Sequence, residues 1–427
     1  MNKIKAFIFV MRDIFYVLLI EYMPDNLFQF FYKIRFYNIT KKKFYRYPIF
    51  MSKKLLSKSS IPVSKKILDS SIEALNNYSK NMHRISIKFR DDNFLNTKML
   101  SGKAKILIPY GWIDPFSAEG RTQGPQILFL KMGLEQNGYD VHIIQLKKDD
   151  SVLSIDAFDS QLVFIWSLSR FDPNMGALKI FGSKEIQTKE NFMIVGVITA
   201  GPEEYSIDKY HQWAKILKKV LYYEEHSEYR QILSDIFYVI HTPYIQLTSE
   251  LIDHQTKFTA TVHVSCLLKL NRIAWLLVLR YICITLKIPY FIRLISNVLS
   301  YKNIRDTYIA NELIAEERMR FGFGFIMVHR KPKLDAHLIG SFWDYYRLGV
   351  IPLVQMQKIK EISTYLTPYL DYFPIENDTD IFSILNISKY NPDHFGNLRL
   401  RILERMKNEF SAKSVVNKIL MELNSGN

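Results

Sequence analysis

At 427 residues, 48% hydrophobic and 23% charged, the chain is too long for one core and too apolar for a disordered protein, so two domains are the default. Two cysteines, Cys266 and Cys283, exclude a disulfide framework; neither lies at a spacing that would hold zinc, and a reducing, cytoplasmic setting follows. The net charge of +15 is concentrated at one end, where residues 1–70 carry fourteen Lys and Arg against four Asp and Glu.

That basic end is also crowded with large apolar side chains, in "AFIFVMRDIFYVLLIEYM" and "NLFQFFYKIRFYNITKKKFYRYPIF". A membrane-crossing helix needs about 20 nearly uninterrupted apolar residues, and Arg12, Asp13 and Glu21 break this run. No small-residue cleavage site of a signal peptide follows it. The pairing of basic and aromatic residues predicts a helical extension over 1–99 whose residues 1–50 lie on the membrane surface, basic groups toward the anionic cytoplasmic leaflet. The competing expectation is an amphipathic appendage packed on the main body. The charge follows no nucleic-acid-binding module, so no nucleic-acid partner is expected. Polar stretches at 52–66 and 96–105 read as linkers.

From residue 100 the pattern alternates between strand and helix. "KILIPYGW" reads as a strand, "PQILFLKMGLEQNGY" as a helix ending near Gly138, and "DVHIIQL" as a strand. Further apolar runs at 161–168, 192–199 and 236–243 read as strands, with one polar helical segment over 207–235 before the last. Such alternation predicts a parallel sheet covered on both faces, here a Rossmann-like domain over 100–253.

A second series occupies 254–400. "TATVHVSCLL", "CITLKIPYFI", "FGFGFIMVH" and "GVIPLVQ" read as strands; "NRIAWLLVLRYI", "NIRDTYIANELIAEERM", "HLIGSFWDYYRL" and "DTDIFSILNI" read as helices. The apolar run 273–292 is interrupted by Arg280, Lys287 and Pro289 and reads as a buried helix turning into a buried strand. Residues 401–427 belong to a C-terminal helix that can cross back to the first domain. The fold class is therefore α/β, two Rossmann-like domains behind a basic, aromatic extension.

The stretch "HLIGSFWDYYRLGVIPLVQ" places Asp344 five positions before Gly349, on a helix entering a buried strand. A carboxylate there can accept hydrogen bonds from vicinal hydroxyls such as a ribose presents, or pair with Arg347. An acid, four residues, Gly and then Val-Ile-Pro-Leu-Val resembles the donor-binding signature of GT-B glycosyltransferases, especially bacterial enzymes of surface-polysaccharide assembly and the exostosin-like group. The resemblance spans roughly 100–400, with motif-level similarity in the second half only. It implies that Asp344 and the Gly349 turn hold the ribose of a nucleoside-diphosphate sugar. It also implies that the loop with Lys269, Asn271 and Arg272 meets the diphosphate, which suits a helix N-terminus beside a bidentate guanidinium. Arg330, with Lys331 and Lys333, follows a strand where cations offset charge on a leaving diphosphate. Solvated surface loops are the competing reading of both basic clusters.

Two departures bear on mechanism. Ser265 and Cys266 stand where the family has glycines, and Ala336 stands where retaining members carry a first glutamate, with Asp335 one place off register. No retaining mechanism is assigned. For an inverting reaction Asp114 and Glu119, in the loop "YGWIDPFSAEGRTQGPQ", are the candidate bases, each also suited to a turn or helix cap. No metal and no cofactor beyond the nucleotide-sugar donor is called for; Asp378 and Asp380 in "NDTDI" read as a helix cap. The expected activity is sugar transfer from that donor to a glycan or lipid-linked acceptor. A non-catalytic membrane-surface scaffold and a GT-B-shaped sugar-nucleotide epimerase are the alternatives.

Overall fold

The computed structural model describes residues 11–12, 14–31, 60–77, 102–108, 124–145, 160–168, 193–198, 207–223, 227–242, 257–267, 270–295, 318–327, 340–356 and 366–425. Helical residues 14–17 run into a π-turn, Leu18–Tyr22, followed by α1 (Asp25–Phe31) and α2 (60–77). Next come β1 (Gly102–Ile108), α3 (Gly124–Gln136), β2 (Tyr139–Gln145), β3 (Leu162–Ile165), β4 (Met193–Ile198), α4 (Ile207–Ala214), β5 (Lys219–Tyr222), α5 (Ser227–Ser234) and β6 (Tyr238–His241). A second series holds β7 (Val262–Leu267), α6 (Leu270–Leu286), β8 (Tyr290–Ile295), β9 (Phe323–Ile326), α7 (Gly340–Tyr346), β10 (Ile351–Gln355) and β11 (Phe373–Ile375). Helices α8 (Asp378–Tyr390), α9 (Pro392–Asn408) and α10 (Ala412–Ser425) close the chain.

Both sheets are wholly parallel, ordered β2-β1-β3-β4-β5-β6 and β11-β10-β9-β7-β8. The inner strands, buried on both faces, are near-continuous apolar runs: β3 is buried at all four positions and β10 at its first four, whereas the edge strand β2 alternates between buried and exposed positions. The fold is α/β with two Rossmann-like sheets, as the alternation implied. Numbered within its own sheet, each follows the order 2-1-3-4-5, the first adding a sixth strand. The β7–β9 pairing is short, Val262 opposite Phe323 and His263 opposite Gly324, so the two strands part toward their carboxyl ends.

Four local readings change. The polar segment 207–235 is not one helix: β5 runs through it, because Lys219-Val-Leu-Tyr222 is buried between β4 and β6 despite its flanking lysines. "CITLKIPYFI" is not a strand from its start, since α6 continues through Leu286 and β8 begins only at Tyr290, after Pro289. A buried helix and a buried strand share the same apolar run, and only the proline marks the boundary. The C-terminal helix breaks at 409–411 into α9 and α10, and β11 adds a short strand that the sequence did not signal.

The extension packs on the second sheet rather than standing free, at least over 14–31. Leu19, Ile20 and Phe28 are fully buried, with Tyr16, Val17 and Met23 packed beside them. The anchor is Arg280 of α6, itself 2% exposed. Its guanidinium donates to the carbonyls of Leu19 (2.8 Å), Ile20 (2.9 Å) and Met23, to the Asp25 carboxylate (3.0 Å), and through Nε to the Tyr290 hydroxyl (2.9 Å). Glu21 accepts from the backbone N–H of Leu294 in β8. Burial raises the Glu21 pKa, against the opposing effects of that hydrogen bond and Arg293. Helix α2 is tied down separately, Ser71 Oγ lying 2.8 Å from His394 Nε2 in α9.

The last helix returns to the first sheet. Gly133 in α3 lets α10 approach closely, for a Cβ there would overlap the Val416 side chain and the Ala412 carbonyl. Asn137 donates to the Lys413 carbonyl (3.1 Å), and the buried ammonium of Lys219 donates to the Leu423 carbonyl (2.5 Å), capping the helix C-terminus. Burial lowers the Lys219 pKa.

Candidate active site

In doubly wound sheets, ligands settle beyond the carboxyl ends of the strands, where the strand order reverses. Those points fall between β1 and β3 in the first sheet and between β7 and β9 in the second. The loops leaving β1, β7 and β9 are the ones in which the sequence places Asp114 and Glu119, Lys269, and Arg330. These four residues lie outside the described residues.

Arg272 is described. It stands two residues into α6, just past the carboxyl end of β7, and is 7% exposed. Its guanidinium is hydrogen-bonded to the Cys266 side chain, and burial lowers its pKa, opposed by that contact. Burial pushes the Cys266 thiol up to about 11, with Arg272 pulling the other way. A cation buried at a helix N-terminus beyond a strand end is suited to an anionic ligand.

Asp344 lies in α7 with its side chain 20% exposed. One carboxylate oxygen accepts from Arg318 Nη1 at 2.9 Å; the other is 3.9 Å from Arg347 Nε. The sequence suggested Arg347 as a partner, but not Arg318, which arrives from 26 residues upstream and also stacks 5.0 Å from the Tyr345 ring. Its guanidinium and that of Arg347 are close enough to repel, which adds to burial in lowering the Arg347 pKa, opposed by Asp344.

The neighbouring Tyr345 fixes the height of α7 on the sheet. Its ring lies over Gly324, where any side chain would collide, and its hydroxyl is 2.6 Å from His263 Nδ1. Gly324 and His263 are the second residues of β9 and β7, whereas Arg272 follows the last residue of β7. Tyr345 also links the two candidate residues, since Asp344 and Arg318 on one side and Cys266, which Arg272 contacts, on the other all act on its hydroxyl.

Gly349 closes the turn from α7 into β10 with φ of +68°, a left-handed conformation that side chains resist, and with Leu403 packed against it. Below it, Asp371 is fully buried and holds three elements together: it pairs with Arg405 of α9 and accepts from the Tyr346 hydroxyl (2.5 Å) and the Thr367 N–H (2.7 Å). Sequence reasoning missed this cluster, for nothing local distinguishes Asp371 from a turn aspartate. The "NDTDI" motif is the helix cap it was read as, Asn377 and Asp380 forming a reciprocal capping box on α8.

A cavity of about 670 Å³ opens elsewhere, lined in part by Lys65 of α2, Lys287 at the end of α6 and Lys389 of α8. It lies where α6 and α8 end, and Lys389 donates to the Leu286 carbonyl at 2.8 Å. Lysines at helix C-termini serve those carbonyls, and this cavity is not the switch-point crevice. Among the described residues no group of three His, Cys, Asp or Glu is placed to hold a metal.

No family model and no curated protein matches the sequence. Solved structures that resemble the chain include an alpha-glucosyltransferase in complex with UDP and a 13-mer DNA containing a HMU base. It is 11% identical, with 76% of this chain and 99% of that one covered and a TM-score of 0.49. HepE of Anabaena in complex with UDP and glucose is 9% identical, covering 76% of this chain and 100% of its own, with a TM-score of 0.44. TarM is 15% identical over 62% of this chain and 54% of its own, with a TM-score of 0.36. At these identities and TM-scores the likenesses do not extend to activity or to individual residues.

Proposed function

We propose that the chain is a glycosyltransferase that moves a sugar from a nucleoside-diphosphate donor to a glycan or lipid-linked acceptor in surface-polysaccharide synthesis, working at the cytoplasmic face of the membrane. The observation that carries this reading is the coincidence of topology and chemistry: both sheets reverse order at the strands whose loops hold the candidate residues, and Arg272 stands buried at one of them. In this reading Arg272 and Lys269 hold the diphosphate, and Arg330 offsets charge on the leaving group. Asp114 or Glu119 takes the proton of the attacking hydroxyl. Asp344, oriented by Arg318 and Arg347 and turned by Gly349, keeps acceptor capacity for ribose hydroxyls, since each carboxylate oxygen can accept twice.

Thermal unfolding with UDP, GDP, ADP and CMP tests the donor site, because a ligand bound only by the native state raises the midpoint. Stabilisation by one nucleoside diphosphate, lost in Arg272→Met, supports the reading; no response to any nucleotide sinks it. Asp344→Ala and Arg318→Met then separate the two roles of Asp344. If Asp344 touches ribose, Asp344→Ala weakens nucleotide binding more than Arg318→Met does. If it serves only the ion pair, both variants lose stability and neither changes nucleotide affinity. The scaffold alternative predicts no turnover of any nucleotide sugar despite a normal fold.

A further inference from the structure

Strands β7 and β9 pair only at Val262 opposite Phe323 and His263 opposite Gly324, whereas β7 stays paired with β8 through Leu267. The ladder between β7 and β9 therefore stops at His263, and the parting beyond it is the switch point of the second sheet. Tyr345 of α7, 1% exposed, fills that parting. Its hydroxyl is 2.6 Å from His263 Nδ1 and 3.5 Å from the His263 carbonyl, and it accepts the backbone N–H of Ser265. His263 is itself buried, its ring stacked on Phe291 and tilted against Phe321, so the hydroxyl rests on a fixed group.

A phenylalanine would fill the same volume. A hydroxyl in so dry a place costs free energy unless its partners are there, and here it supplies the Ser265 N–H with the acceptor that β9 no longer offers. Burial raises the Tyr345 pKa, so the hydroxyl keeps its proton and can donate and accept at once. What it fixes borders the candidate site. Cys266, one residue past Ser265, is the side chain to which Arg272 hydrogen-bonds. On the other side, Tyr345 directly follows Asp344, and Arg318, which holds the Asp344 carboxylate at 2.9 Å, lies 5.0 Å from the Tyr345 ring.

We infer that Tyr345 is a positioning residue for a nucleoside-diphosphate donor: seated in the parting of β7 and β9, it sets Arg272 relative to Asp344 and so the span from diphosphate to ribose that the site accepts. The inference rests on the donor-site part of the proposed function and adds the group that couples its two ends. Arg272 and Asp344 each meet one end of a nucleoside diphosphate, so the coupling shows only with a ligand that reaches both.

Titration calorimetry of the full-length protein with UDP, GDP, ADP and inorganic pyrophosphate tests it. Tyr345→Phe keeps the ring and removes the hydroxyl. It is expected to weaken the nucleoside diphosphate that the wild type binds by about tenfold, and pyrophosphate, which meets the Arg272 end alone, by less than about twofold. Arg272→Met should cost less nucleoside-diphosphate affinity in the Tyr345→Phe background than in the wild type. Gly324→Ala drives a methyl group into the Tyr345 ring and should act in the same direction as Tyr345→Phe without adding to it. A lower thermal midpoint with unchanged nucleoside-diphosphate affinity in both variants would make Tyr345 a packing residue only and overturn the inference. Full additivity of Tyr345→Phe with Arg272→Met overturns it too, as do equal losses for pyrophosphate and nucleoside diphosphate, which would place the whole effect at the Arg272 end. A wild type that binds no nucleoside diphosphate refutes the donor-site reading and this inference with it, whereas wild-type binding that Tyr345→Phe leaves untouched refutes this inference alone.

Discussion

Replacing Arg280 with alanine is the sharpest test of how the extension is held. The guanidinium serves five acceptors: three backbone carbonyls, one carboxylate and one hydroxyl. Its plane also lies 4.3 Å from the Phe28 ring. Hydrogen bonds from a charged donor contribute about 1.5–3 kcal/mol each, but groups sharing one side chain are not additive. The loss is further bounded, because the carbonyls of 19, 20 and 23 can regain water if the segment lifts off. A penalty of about 3–5 kcal/mol, the usual range for breaking a buried charged contact, is therefore expected. It should appear chiefly as local opening of 14–31 rather than as a collapse of either sheet. Amide hydrogen exchange followed by mass spectrometry reads this directly: protection should fall in peptides covering the π-turn and α1 and persist in β1 to β4. Arg280→Lys should lie between the two, since an ammonium has three donors and no planar fork. Unchanged protection of 18–28 in Arg280→Ala would refute the anchoring argument.

Four further outcomes follow from the packing. Gly133→Val should drive α10 from α3 and destabilise by about 1–3 kcal/mol or more, measured by urea unfolding, with protease sensitivity appearing first in 412–425. Asp371→Ala leaves Arg405 paired with Glu409 but strips the buried Tyr346 hydroxyl of its acceptor, and should cost about 1–3 kcal/mol, whereas Leu400→Ala, on the exposed face of α9, should cost little. Gly349→Ala forces a side chain into a left-handed turn against Leu403 and should cost at least about 1 kcal/mol, lowering the thermal midpoint without altering nucleotide specificity. Burial lowers the His394 pKa below its ordinary 6.5, so the folded state holds fewer protons on this ring than the unfolded state in that window. Stability from this group is full above pH 6.5 and lost as the pH falls through the folded value. The Ser71 contact of α2 should loosen on acidification, and His394→Gln should flatten the pH dependence of hydrogen exchange in α2.

What the sequence revealed and what it hid follow one physical rule. Parallel strands buried on both faces leave a local mark, a short apolar run between turn residues, and β1, β3, β4, β7, β9 and β10 are legible on that ground, while the edge strand β2 shows itself by alternation. The same mark cannot separate strand from buried helix, so the Cys283–Leu286 end of α6 was misplaced and the four residues of β5 disappeared into a helical reading. Long-range pairing leaves no local mark at all. Arg280 shows this most clearly: in the sequence it is a charge that spoils a membrane span, and in the fold the same charge is the clamp that seats 19–25 on α6. Arg318 is the parallel case at the candidate site. Asp344 was conspicuous because an acid on an aromatic helix needs a partner, and the nearest one in sequence, Arg347, is the more distant of its two ion-pair contacts. The partner at hydrogen-bonding distance enters just ahead of β9 and is brought in by the register of β9 beside β10. A carboxylate so held is pre-oriented whatever it binds, so only the comparison of Arg318→Met with Asp344→Ala distinguishes a ligand-binding acid from a purely structural one.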